Sequence, residues 1–88
     1  MDYGKAIRVV RTIGGKRQKD LARLASIDPS FVSLLETGER KPGIETLERI
    51  AKALEVPVHL LTLLAMEPSD RPQGVPTEEI GTSLARIL

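Results

Sequence analysis

The chain has 88 residues and a mass of 9.6 kDa, which leaves room for one domain with a small core. Hydrophobic residues make up 41% and charged residues 28%, as is typical of a folded domain, and the 11-residue apolar stretch 56–66 is too short for a membrane span, which needs about 20. The absence of cysteine and the single histidine exclude disulfides and thiolate chemistry and argue against a zinc cluster or a catalytic triad. We therefore expect neither an enzyme nor a cofactor. With no secretory signal at residues 1–3, we expect a cytoplasmic protein.

Helical signals follow one another along the whole chain, and no strand pattern interrupts them. Gly14 and Gly15 end the first apolar face, and Asp28 with Pro29 is a typical helix start. Gly38 is suited to the left-handed residue that follows a helix. The sequence predicts six helices, over residues 3–13, 18–25, 29–37, 44–54, 57 to 65 or 66, and 77–88.

Positive charge is concentrated in the first half. Residues 1–42 contain nine basic and five acidic side chains, a balance of +4, whereas residues 43–88 contain four basic and seven acidic ones, a balance of −3. This asymmetry is typical of a chain that binds a polyanion, although chance clustering on a solvated surface would give the same pattern.

The third predicted helix has two different sides. At 100° per residue, its large apolar residues fall on one side, together with Glu36. Small, uncharged residues form the other side, and such a face can enter a DNA major groove about 12 Å wide. Its members are Pro29, Ser30, Ser33, Leu34 and Thr37. An ordinary serine-rich solvent face is the alternative.

The flanking motifs decide between these readings. They are Arg11, the run QKDLA at 18–22, the run PSFVSLLE at 29–36, Gly38, and the run RKP at 40–42. In this spacing, residues 4–61 resemble the Cro/CI-type, lambda-repressor-like helix-turn-helix family. The resemblance implies an all-α, compact five-helix DNA-binding domain, here with a C-terminal linker and a short extra helix.

Site residues are implied by the same resemblance. The base-reading positions are Pro29, Ser30, Ser33 and Leu34, of which Pro29 has no donor and only shapes the approach. The phosphate-binding positions that the resemblance implies are Gln18, Arg40 and Lys41. Lys16 and Arg17 depart from the family pattern, which usually has an apolar residue and a capping serine or threonine there, and their charge would lie close to DNA. We therefore expect Lys16, Arg17, Lys19 and Thr37 to bind phosphate as well. Arg11 and Glu36 occupy positions that form a structural salt bridge in many relatives. Ser26 stands where the family often has glycine, which leaves the geometry of the turn open. No metal site is expected.

The fifth predicted helix is apolar over about 220° of its circumference, more than the roughly 100° that one core contact needs. We expect the excess to form a homodimer interface through Val58, Leu61, Leu64 and Ala65, or to lie under the last helix. The predicted organisation is a DNA-binding domain at 1–66, a proline-rich linker at 67–76 and an amphipathic docking or dimerisation helix at 77–88.

These expectations predict a sequence-specific regulator of transcription that binds double-stranded DNA, most simply a dimeric Cro-like repressor of an inverted-repeat operator. We expect no membrane contact and no small-molecule effector. The alternative is an antitoxin or anti-activator that binds a protein partner through the fifth helix and the C-terminal segment.

Overall fold

A computed structural model describes residues 1–68 of the chain. Five helices account for most of this part, and it contains no strand: α1 (Tyr3–Ile13), α2 (Gln18–Ala25), α3 (Pro29–Thr37), α4 (Ile44–Ala53) and α5 (Val58–Ala65). The predicted all-α fold and its element order are confirmed. The predicted helix at 77–88, and all but two residues of the predicted linker at 67–76, lie outside the described residues.

The helix ends follow the local sequence signals closely. Asp28 caps α3, and Gly38 ends it with a left-handed φ of 84°. The structure differs from the prediction at two ends, because α4 stops one residue early at Ala53 and Pro57 precedes α5 as its cap. A proline fits there because its fixed φ suits the residues around a helix start.

One core joins all five helices. α1 packs on α3 and α5, while α2 packs on α3 and α4. The largest fully buried side chains are Ile7, Leu21, Val32, Leu35, Ile50 and Leu61. None of the described helices is long and apolar enough to cross a membrane.

Helical periodicity places Ile13, Leu24 and Ile44 on the apolar faces of their helices, but all three side chains are exposed in the structure. Ile13 is 81% exposed, Ile44 is 78% exposed, and Leu24 is exposed on α2. Each stands at or next to the end of its helix. Periodicity gives the direction of a side chain, but it does not show how far the neighbouring helix extends.

Two of the four residues predicted to form the dimer interface on α5 are buried in the structure. Leu61 and Ala65 are 0% and 1% exposed, so they belong to the core of a single protomer. The reason is the packing of α1, whose start is fixed to the end of α5 by a 2.7 Å hydrogen bond from the Asp2 backbone N–H to the Ala65 carbonyl. Val58 and Leu64 are exposed and are the two predicted interface residues that stay on the surface.

Candidate nucleic-acid interface

A tight turn connects α2 to α3. Ser26 takes a left-handed conformation, with φ 58° and ψ 45°, as the last α2 turn closes. The Ile27 backbone N–H then donates to the Ala22 carbonyl at 2.9 Å. Ser26 therefore adopts the left-handed conformation that glycine usually takes at this position of the turn.

The next residues start α3. The Asp28 carboxylate accepts from the Ser30 backbone N–H at 2.8 Å and from the Ser30 hydroxyl at 2.6 Å. These two bonds, the hydroxyl first, lower the pKa of Asp28 below its usual value. The carboxylate satisfies one of the free amides of the first helical turn.

The two sides of α3 separate as the sequence predicts. Val32 and Leu35 are buried in the core. On the outer side, Pro29, Ser30 and Thr37 are exposed, whereas Ser33 and Leu34 are half-buried. The four predicted base-reading residues thus share the side of the helix that faces away from the core.

Glu36 connects α3 to both earlier helices. Its carboxylate accepts from Arg11 Nε at 2.7 Å and from Arg11 Nη2 at 2.9 Å, which forms the salt bridge that the resemblance implied. It also accepts from the Gln18 side-chain amide at 3.1 Å. The hydrogen bond to Glu36 raises the pKa of Arg11. The Glu36 side chain is only 4% exposed, so this connection lies beneath the outer face.

The start of α2 carries several of the predicted phosphate-binding residues. Gln18 uses one of its two amide hydrogens on Glu36 and keeps the other. Arg17 is exposed and pairs with Asp20, whose carboxylate accepts from the Arg17 backbone N–H at 2.9 Å and from Arg17 Nε at 3.2 Å. These bonds, the backbone one first, lower the pKa of Asp20. Lys19 is exposed.

The loop after α3 folds back on the helix. The Leu34 carbonyl accepts from the Arg40 backbone N–H at 3.2 Å and from the Thr37 hydroxyl at 3.1 Å. Thr37 thus gives its one hydroxyl hydrogen to its own helix in this conformation, and the phosphate contact predicted for it stays a prediction. Arg40 and Lys41 are exposed, and neither has an ion-pair partner within residues 1–68.

Lys16 is a predicted phosphate-binding residue in the loop before α2. It lines a cleft between α2 and α4, together with Leu24, Arg49 and Lys52, and no residue of α3 lines this cleft. Its carbonyl accepts from Arg11 Nη1 at 2.8 Å. The Lys16 backbone therefore connects the loop before α2 to Arg11, while a Cβ atom at Gly14, at the end of α1, would lie 3.8 Å from Lys16 Nζ.

Gly4 has a role that the sequence did not reveal. A Cβ atom at this position would lie 2.9 Å from the Glu36 carbonyl oxygen and would also collide with the Leu35 carbonyl oxygen. Glycine is therefore needed for α1 to approach the backbone of α3 closely. The signal in the sequence is a glycine inside an otherwise regular helical pattern.

Within residues 1–68 no three histidine, cysteine or acidic side chains are grouped closely enough to hold a metal ion. The structure thus contains a capped helix, α3, whose outer face consists mainly of small residues. Glu36 connects this helix to α1 and α2 beneath that face, and a basic loop follows it. This geometry defines a helix-turn-helix domain.

A family model described as helix-turn-helix matches residues 7–61, and the chain therefore belongs to the helix-turn-helix family. An uncharacterized HTH-type transcriptional regulator of Archaeoglobus fulgidus is 45% identical over 51 residues, which cover 58% of this chain and 22% of that protein. The HTH-type transcriptional regulator DdrOP3 of Deinococcus deserti is 38% identical over 59 residues, 67% of this chain and 46% of that protein. The chain thus spans half or less of the length of these relatives, whose names describe a non-enzymatic role.

Among solved structures, the restriction-modification controller protein C.AhdI from Aeromonas hydrophila superposes with a TM-score of 0.67 and 32% sequence identity. The match covers 68% of this chain and 91% of the controller protein. The predicted Cro/CI-type, lambda-repressor-like fold is confirmed by these comparisons.

Proposed function

We propose that this protein is a transcriptional regulator that reads double-stranded DNA in the major groove with α3, as a dimeric Cro-like repressor of an inverted-repeat operator. One observation carries the proposal: the family-matched α2–α3 unit presents an outer face of small residues, on the side opposite the buried Val32 and Leu35. A cytoplasmic location, where such a regulator meets its operator, is part of the same proposal.

The charges around α3 support contact with the DNA backbone. Arg40 and Lys41 follow α3, and Lys19 is exposed on the first turn of α2. Gln18 adds a free amide hydrogen at the same helix end, whose backbone N–H groups also favour an anion. We therefore propose phosphate contacts from Arg17, Gln18, Lys19, Arg40 and Lys41.

The proposed dimer interface is the outer side of α5. Val58 and Leu64 remain exposed there, and two such surfaces can meet across a twofold axis. A twofold dimer would present two α3 helices about 34 Å apart, one turn of DNA. The same two residues are what favours the alternative function, in which α5 binds a different protein.

A selection experiment tests the proposal. Purified full-length protein is mixed with a pool of random DNA duplexes, and the retained duplexes are sequenced. Enrichment of an inverted repeat with half-sites about one turn apart would support it. Retention without an enriched motif would contradict it and favour the protein-binding alternative.

Sedimentation of the Leu64→Ser variant tests the dimer separately. We expect this variant to be monomeric and to lose affinity for a two-half-site duplex. Ile44→Ser is the matched control, because it makes the same kind of change at an exposed position on α4. An Ile44→Ser variant that dissociates equally would show that the interface lies elsewhere.

A further inference from the structure

The outer face of α3 has an uneven supply of hydrogen-bond donors. The Ser30 hydroxyl gives its one hydrogen to Asp28 Oδ1 at 2.6 Å, so its oxygen can only accept. Asp28 Oδ1 also accepts from the Ser30 backbone N–H at 2.8 Å, and Asp28 Oδ2 receives no hydrogen bond from residues 1–68. Both residues are exposed. The first turn of the helix therefore presents acceptors to whatever it meets.

The rest of the face adds one donor. Pro29 has no N–H, Leu34 is apolar, and Thr37 donates its hydroxyl hydrogen to the Leu34 carbonyl at 3.1 Å. Ser33 is the one hydroxyl of the face with no hydrogen-bond partner within residues 1–68. It lies one turn further along the helix, separated from Asp28 and Ser30.

Base edges in the major groove differ in polarity. Guanine and thymine present acceptors there, whereas cytosine and adenine present the exocyclic amino groups N4 and N6. An acceptor-only turn that includes a carboxylate is repelled by O6, N7, O4 and phosphate oxygens. It is attracted only where a donor comes within hydrogen-bond distance.

On this basis, and resting on the proposed function, we propose that Asp28 and Ser30 together accept a hydrogen bond from the exocyclic amino group of cytosine or adenine at one base pair of each half-site. Asp28 thereby becomes a specificity-determining residue as well as a helix cap. The bonds from Ser30 favour its charged form, which keeps both carboxylate oxygens as acceptors at neutral pH. Leu34, further along the same face, suits a thymine methyl group.

The Asp28→Asn variant tests the inference, because asparagine caps helices as well as aspartate does but replaces one outward oxygen by an NH₂ donor. The random-duplex selection is run on the wild type and on this variant. We expect the wild type to enrich cytosine or adenine at one position of the half-site. In the variant, guanine or thymine should be preferred at that position, with a change of about tenfold in the ratio of the bases, while the preferences at the other positions stay unchanged.

Two further variants separate the possible outcomes. Asp20→Asn removes an equal charge from α2 and should leave every base preference as it is. Ser30→Ala keeps Asp28 but removes the second acceptor, so it should weaken the preference at that same position. Thermal melts should show all three variants folded.

An unchanged motif in Asp28→Asn, or uniformly tighter binding to all duplexes, would overturn the inference and leave the proposed function standing. Absence of any motif, even for the wild type, would reject the proposed function and the inference together.

Discussion

Gln18 and Glu36 are joined by a hydrogen bond of 3.1 Å between the first residue of α2 and the last but one of α3. The same carboxylate is held by two hydrogen bonds from Arg11 on α1. Three helices thus meet at one nearly buried side chain. The position of the outer face of α3 relative to the start of α2 depends on this connection.

The first prediction concerns the Arg11–Glu36 pair. Glu36→Ala should lower the free energy of unfolding by about 3 kcal/mol, because it leaves the half-buried guanidinium of Arg11 unpaired. The double variant Arg11→Met, Glu36→Leu should recover most of that loss, since no unpaired charge remains. Urea unfolding measures both.

Glu45→Ala is the control, because it breaks the exposed pair with Arg49 and should cost less than about 1 kcal/mol. If Glu36→Ala lowers the free energy of unfolding by as little as this control does, the Arg11–Glu36 pair stabilises the fold no more than an exposed pair.

The second prediction concerns Gly4. Gly4→Ala should destabilise the domain by about 3 kcal/mol, because its methyl group would force α1 away from the carbonyls of Leu35 and Glu36. Gly14→Ala is the matched control: its Cβ would lie 3.4 Å from the Val10 carbonyl oxygen, an ordinary contact. This variant should change stability by less than about 1 kcal/mol. Equal urea midpoints for the two variants would refute the close-approach explanation.

The sequence was most informative where structure is local. Caps and breakers such as Asp28, Pro29 and Gly38 act within one turn of chain, and the helices begin and end within a residue of the predicted positions. Ile13 and Ile44 were assigned wrongly because their burial depends on where another helix ends. The burial of these side chains depends on how helices that are distant in sequence pack together. A single sequence does not give that packing.

In the candidate site, too, local features could be predicted from the sequence, and features that depend on packing could not. The outer face of α3 follows from periodicity alone, and the family resemblance supplied the Arg11–Glu36 pair. The hydrogen bond from the Thr37 hydroxyl to the Leu34 carbonyl, and the position of Lys16 beside the cleft between α2 and α4, depend on packing. The phosphate contacts predicted for these two residues were inferred from charge and position alone, and they stay predictions.

The third prediction concerns the turn before α3. Ser26 and Glu55 are the two non-glycine residues of the described chain with positive φ, at 58° and 59°. A side chain in this conformation costs about 1–2 kcal/mol, whereas glycine there costs mainly unfolded-state entropy. Ser26→Gly should therefore raise the unfolding free energy by about 0.5–1 kcal/mol.

Glu55→Gly should give a similar gain, whereas Ser33→Gly, within regular helix, should lower stability by about 0.5–1 kcal/mol. Thermal melts compare the three variants. A loss of stability in Ser26→Gly would mean that the serine side chain stabilises the turn.

The fourth prediction concerns pH. The pKa values of Asp20 and Asp28 are lowered in the folded protein by hydrogen bonds from Arg17 and Ser30. A lowered folded pKa stabilises the protein above the unfolded pKa of about 3.9, and the contribution is lost as pH falls through the folded value. Urea midpoints should therefore fall between pH 5 and pH 2, and less so in the Asp20→Asn, Asp28→Asn double variant. An equal fall in both proteins would assign the acid sensitivity to other carboxylates.

The fifth prediction tests the basic loop by the salt dependence of binding to random-sequence duplex DNA. A lysine or arginine that contacts a phosphate releases counterions, and each such contact contributes about 0.9 to the slope of log K against log salt concentration. Arg40→Ala and Lys41→Ala should each reduce the slope by about that amount. Arg49→Ala removes the same charge from the cleft between α2 and α4, away from α3, and should leave the slope unchanged. If all three variants reduce the slope equally, the binding depends on overall charge and the loop has no special position on the DNA.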